Sequence, residues 1–166
     1  ANSDLVTKTS MLECRYLTGN RELFNEFKER FVAECVEGKE AEYFAWRLAN
    51  QKEVHDKNGN SLFMQEPNVK NGIGGLRDYQ NLHWMTFFKY RTRTTAEMVK
   101  EELISASEGK QLEAAYDFLL RARNDAAHDG LAAELALGAD LAGDARHLGR
   151  ERAELIDHRV DRVLQL

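Results

Sequence analysis

The sequence predicts an all-α protein, a helical bundle of about six or seven helices with one long polar loop. Three observations carry this expectation. The 166 residues contain a single proline, so few positions are barred from a helix. Ala, Leu, Glu and Arg, all strong helix formers, are abundant. Large apolar residues recur at spacings of three and four, the repeat of one helical face.

The elements follow in order. Asp4 is placed to cap a first helix running to about Thr18, with Val6, Met11, Cys14 and Leu17 as its apolar face and Gly19 as its stop. Asn20 caps a second, whose stripe of Leu23, Phe24, Phe27, Phe31 and Val32 reads as core and which Gly38 ends. A third runs from about Glu40 to His55, with Tyr43, Phe44, Trp46 and Leu48 as its large apolar members. Asp56 to Asn60 is a turn cluster, and Ser61 to Gln65 is short and compatible with an extended strand. The helix from Leu76 to Arg91 is apolar around much of its circumference and is expected to be the central, most buried one; His83 within it reads as a satisfied core histidine. Thr94 and Glu97 form a capping-box pattern that should open a helix of about ten residues. Ser107-Glu108-Gly109 is expected to interrupt it before a long helix from Lys110 to Ala127. Residues 126–166 hold no lysine and no aromatic residue. This break in composition divides the chain into a helical domain, 1–125, and a divergent tail, 126–166, in which Arg150 to Leu166 retains an amphipathic pattern.

Composition excludes several classes. A net charge of −5 argues against a general nucleic-acid binder. No apolar run is long enough to span a membrane and no signal-peptide pattern opens the chain, so a cytoplasmic protein is expected. Cys14 and Cys35 fall in expected helices without metal spacing and read as buried free thiols.

The most distinctive stretch is Glu66-Pro67-Asn68-Val69-Lys70-Asn71-Gly72-Ile73-Gly74-Gly75-Leu76-Arg77-Asp78. It gathers the proline, three glycines, two cations and two carboxylates immediately before the central helix. A polar loop feeding a helix N-terminus presents N–H groups and a positive dipole end, which suits an anion. Two readings stand: a loop that holds phosphate or orders a neighbouring site, and a rigid connector in which Arg77 and Asp78 pair locally. Residue chemistry alone favours the connector, since structural ion pairs are common. The spacing matches neither the dinucleotide-binding nor the P-loop pattern.

Catalytic signatures are otherwise sparse. There is no G-S-x-x-R-G stretch and no D-x-D on an apolar strand, the groups a metal-dependent nucleotidyl transfer needs to neutralise phosphate charge. His55-Asp56 and His128-Asp129 are literal His-Asp pairs, but without further ligand spacing they read as surface or capping residues.

The loop, together with Leu82-His83-Trp84, resembles the segment that follows the nucleotidyltransferase domain in bacterial protein-PII uridylyltransferases, the bifunctional uridylyltransferase/uridylyl-removing enzymes of nitrogen regulation. Thr9 to Asn20 is similar to that family's T-S-L-L-D-A-R-x-L-x-G-D stretch, and Phe118 to Asn124 to its F-L-x-x-V-R-N; the resemblance covers about residues 4–125. It implies a helical domain beside an upstream catalytic domain absent from this chain, in a protein that transfers UMP from UTP to the PII regulator with Mg²⁺. It implies no catalytic residue and no metal or cofactor held by this chain alone. It points to Glu66, Asn68, Lys70, Arg77 and Asp78 as residues on the nucleotide or protein-substrate side. The alternative class is a non-catalytic helical module for protein interaction or oligomerisation. Oligomeric state is not legible in the sequence.

Overall fold

The computed structural model describes residues 2–58 and 68–128. Among these, the protein is all-α: α1 (Asn2–Leu12), α2 (Arg21–Phe31) continuing into a π-helical turn (Val32–Val36), α3 (Glu40–Lys57), α4 (Leu76–Tyr90), α5 (Thr95–Lys100) and α6 (Ala106–His128). No helix among the described residues is long and apolar enough to cross a membrane.

α4 is the centre of the bundle, as its all-round apolar sequence requires. Leu76, Tyr79, Leu82, Trp84, Met85, Phe87 and Phe88 are buried along it. α3 packs on one side and α6, with α5, on the other. Tyr43 of α3 stacks on Phe88, ring centroids 3.6 Å apart, and its hydroxyl meets Thr9 Oγ1 of α1 at 3.1 Å. Tyr79 stacks on Tyr116 of α6 at 4.2 Å. Met98, Ile104 and Leu112 complete the core on that side.

Several expectations are corrected. α1 ends at Leu12 rather than Thr18, and the chain to Thr18 leaves the helix, so Cys14 is not helical. Its buried face is Leu5, Thr9 and Leu12, while Val6, Met11 and Leu17 are exposed. Cys35 lies in the π-helical turn, and both thiols are free and only half-buried. The second helix keeps its Asn20 cap, whose side chain accepts from the Leu23 N–H at 3.1 Å. Its apolar stripe is core only at its end: no residue of α2 is fully buried, Leu23 and Phe27 are exposed, and Phe31 and Val32 pack against the hydrophobic core.

Ser107-Glu108-Gly109 does not interrupt a helix but forms the first turn of α6. Ser105 Oγ accepts from the Glu108 N–H and the Glu108 carboxylate accepts from the Ser105 N–H, a reciprocal cap. The break falls earlier, at Glu102 with φ +57°, and holds α5 to six residues. Thr94 does cap α5, accepting from the Glu97 N–H at 3.2 Å. Ser61 to Gln65 and residues 129–166, including the expected helix from Arg150, lie outside the described residues.

Candidate functional site

The loop ahead of α4 is closed by its own backbone. Asn68 Oδ1 accepts from the N–H groups of Lys70 and Asn71 at 3.1 and 2.9 Å, and its carbonyl from Gly72 at 2.8 Å. The Asn68 side-chain amide donates to Asn58 Oδ1 beyond the end of α3 at 2.9 Å. Val69 and Lys70 carbonyls then take the N–H groups of Leu76 and Arg77 at 3.0 and 2.9 Å, and the Gly75 carbonyl takes that of Asp78 at 3.0 Å. The open helix end expected for an anion is therefore occupied: the N–H groups that a helix normally leaves unpaired are bonded within the loop.

Two glycines make this geometry possible. Gly74 adopts φ +74°, which a side chain resists. At Gly75 an added Cβ would stand 2.8 Å from the Gly72 carbonyl oxygen and 2.9 Å from that of Val69, too close for any other residue.

Asp78 locks the loop to α3. The residue is 1% exposed. Oδ2 accepts from the Gly74 N–H at 2.8 Å, Oδ1 from the Gln51 amide at 3.0 Å, and His55 Nε2 lies 3.0 and 3.1 Å from the two oxygens. An ionised carboxylate only accepts, so the imidazole donates there, and when protonated it forms an ion pair. One turn further along α4, Asn81 Oδ1 accepts from Arg47 Nε at 2.7 Å. The guanidinium of Arg47 lies 4.3 Å from the Trp84 ring and 5.3 Å from that of Trp46. Burial pulls Arg47 down to about 10 from the usual arginine value. Trp84 Nε1 donates to Glu13 at 2.9 Å.

The structure thus gathers most of the sequence-selected residues in one place and gives them different roles. Asn68 and Asp78 are internal anchors. Lys70 contributes its carbonyl and leaves its side chain exposed. Arg77 is half-buried, its guanidinium 5.5 Å from the Trp84 ring, and among the described residues its side chain makes no hydrogen bond or ion pair. Glu66 lies outside the described residues. Sequence reasoning missed Arg47, Gln51, Asn81 and Trp84, and it placed His55 at the surface, where the structure has it half-buried against Asp78. The available signal was Tyr43, Arg47, Gln51 and His55 at successive spacings of four, one continuous helical face. His128 is the last residue of α6 and its side chain is not described.

His83 is in the core but not fully satisfied. Its ring packs on Tyr79 at 4.5 Å, and Nε2 is buried with no hydrogen-bond partner among the described residues. Burial lowers its pKa. Among the described residues, no group of three or more His, Cys, Asp or Glu side chains converges to hold a metal ion.

Comparison with known proteins bears on this segment as a whole. The sequence model of the GlnD PII-uridylyltransferase family matches residues 42–128, from α3 through α6. Three curated relatives share the description bifunctional uridylyltransferase/uridylyl-removing enzyme. The protein from Bradyrhizobium sp. (strain BTAi1) is 43% identical, that from Erythrobacter litoralis 40% and that from Nitrobacter winogradskyi 39%, each over 123 residues. Those residues are 74% of this chain, and the chain spans 13% of the length of each relative. No solved structure matches.

Proposed function

The chain belongs to the GlnD PII-uridylyltransferase family, and from that premise we propose that it is the helical segment standing beside the nucleotidyltransferase domain of such an enzyme. In this reading the full polypeptide transfers UMP from UTP to the PII regulator with Mg²⁺, and all of the phosphate chemistry belongs to residues outside this chain. The chain's own part is positional. The observation that carries the reading is the contrast within the loop. Asp78, Asn68 and the loop backbone are consumed by internal hydrogen bonds, whereas Lys70 is exposed and Arg77 carries no partner charge among the described residues. A rigid frame that holds two cations with no neutralising partner among the described residues is suited to meet phosphate or acidic groups across a domain boundary, because pre-organised charge loses little to reorganisation.

The test uses Arg77→Ala and Lys70→Ala in the full-length polypeptide carrying this segment. We expect UMP transfer to PII to fall at least about tenfold, the effect of losing roughly 1.4 kcal/mol of interaction. The thermal midpoint should stay within about 2 °C, since neither side chain is part of the hydrogen-bonded frame. Unchanged transfer in both variants overturns the assignment and leaves the loop a plain connector.

A further inference from the structure

Arg47 carries a buried charge with no opposite charge against it. The residue is 5% exposed. Among the described residues its guanidinium makes one hydrogen bond, from Nε to the neutral amide oxygen of Asn81 at 2.7 Å, so both Nη groups lack an acceptor there. The Asp78 carboxylate is taken up by Gly74, Gln51 and His55. Glu13 accepts from Trp84 Nε1, and the ion pairs among the described residues join other groups. Attraction to the Trp46 and Trp84 rings offsets part of the cost of burial. It supplies no acceptor for Nη, because an indole only donates. Buried charges are ordinarily paired.

A second cation stands over the same ring. The guanidinium carbons of Arg47 and Arg77 lie 4.3 and 5.5 Å from the Trp84 ring centroid. The Arg77 charge adds to burial in disfavouring the charge on Arg47. The backbone N–H groups at the start of α4 are closed by the loop, so the donors left over here are side chains. Two guanidinium forks match the oxygens of a carboxylate or a phosphate. Charge decides between them. A carboxylate neutralises one of the two cations, whereas a phosphate brings nearly two negative charges and three strong acceptor oxygens.

We propose that Arg47 and Arg77, beside Trp84, form a binding site for a phosphate-type dianion on this chain itself. The proposal rests on the functional reading above for Arg77 and deepens it, adding a buried partner and naming the charge of the ligand. Arg77, half-buried, is the accessible half of the pair. Arg47 is the desolvated half, held at Nε by Asn81.

The experiment is isothermal titration calorimetry of the 166-residue chain with inorganic phosphate at neutral pH and constant ionic strength. We expect saturable binding of one phosphate per chain with a Kd of about 1 mM or tighter. Tryptophan fluorescence should follow the same isotherm, since Trp46 and Trp84, the two tryptophans of the chain, both border Arg47. Arg47→Met and Arg77→Met should each weaken binding at least about tenfold, and Arg77→Lys, which keeps the charge but loses the fork, should recover part of it. If Arg47→Met does not fold, Arg77→Met decides alone, because its side chain lies outside the hydrogen-bonded frame. Absence of saturable binding overturns the proposal, as does binding that Arg77→Met leaves unchanged. Acetate binding as tightly as phosphate overturns the dianion in favour of a carboxylate. Binding that appears only in Glu66→Gln overturns it in favour of a carboxylate of this chain. Phosphate binding, with UMP transfer by the full-length polypeptide unchanged in Arg77→Ala and Lys70→Ala, refutes the functional reading and leaves the site intact; transfer lost in those variants without phosphate binding does the reverse.

Discussion

Asp78 is the residue on which the loop depends. Replacing it with alanine leaves the Gly74 N–H, the Gln51 amide and the His55 ring nitrogen facing a cavity. Breaking a buried charged network from one side costs about 3–5 kcal/mol. Asp78→Ala should lower urea stability by that amount, and Asp78→Asn, which preserves shape and one acceptor, by about half. His83 gives a separate pH signature. Burial depresses its pKa in the folded state, so the unfolded chain takes up the proton first as pH falls. Its contribution to stability is intact above the unfolded value near 6.5 and declines as pH drops below it. His83→Phe should flatten the part of the stability slope between pH 7 and 5 that arises here. At this scale the sequence was half legible. Asp78 stood out through the family resemblance and through its place in the first turn of the central helix, where a carboxylate meets the positive dipole end. Arg47, Gln51 and His55 did not, because polar residues on an exposed-looking helix face read as solvated until a partner face is known.

Among the elements, helix existence was far more legible than helix ends or burial. Caps written in side chains were readable at Asn20 and Thr94 but not at Asp4, which lies inside α1 because that helix already runs from Asn2; Thr94→Ala should cost about 1 kcal/mol by thermal melting. The end of α5 was not, since Glu102 takes a positive φ that no sequence rule assigns to glutamate. Glycines separate in the same way. Gly38 has φ +69° but open space around its missing Cβ, so Gly38→Ala should cost only about 1 kcal/mol. Gly75→Ala forces contact with three backbone carbonyls and should cost at least about 2 kcal/mol, with the start of α4 losing hydrogen-exchange protection. The stripe on α2 was read correctly as a stripe, and as core correctly at Phe31 and Val32 but wrongly at Leu23 and Phe27. Periodicity reports that a face is apolar; it does not report what lies against it. Leu23→Ala should therefore change stability by less than about 0.5 kcal/mol, against about 2–5 kcal/mol for Leu82→Ala in the fully buried seam of α4.

For the whole molecule, the buried hydrophobic residues run from Leu5 to Ala122 among the described residues, and the aromatic core between α3, α4 and α6 is continuous. A chain ending at His128 should keep most of its cooperative thermal transition. Loss of that transition would make residues 129–166 a structural layer. The all-α class was legible because it depends on composition and spacing, which are local. The assembly of the site was not, because it depends on which turn of α3 meets which turn of α4.

That meeting has a consequence for how the chain folds. The polar contacts between the two helices are nested by the chain they enclose: His55–Asp78 spans 23 residues, Gln51–Asp78 27 and Arg47–Asn81 34. Once the innermost is made, each outer one lengthens the closed loop so little that its added entropy cost is below about 0.5 kcal/mol. The two helices should close like a zip, starting at the loop and running toward Tyr43 and Phe88. Refolding rates then respond unevenly along the seam. His55→Ala should slow folding in proportion to its destabilisation, whereas Phe88→Leu should act mainly by speeding unfolding.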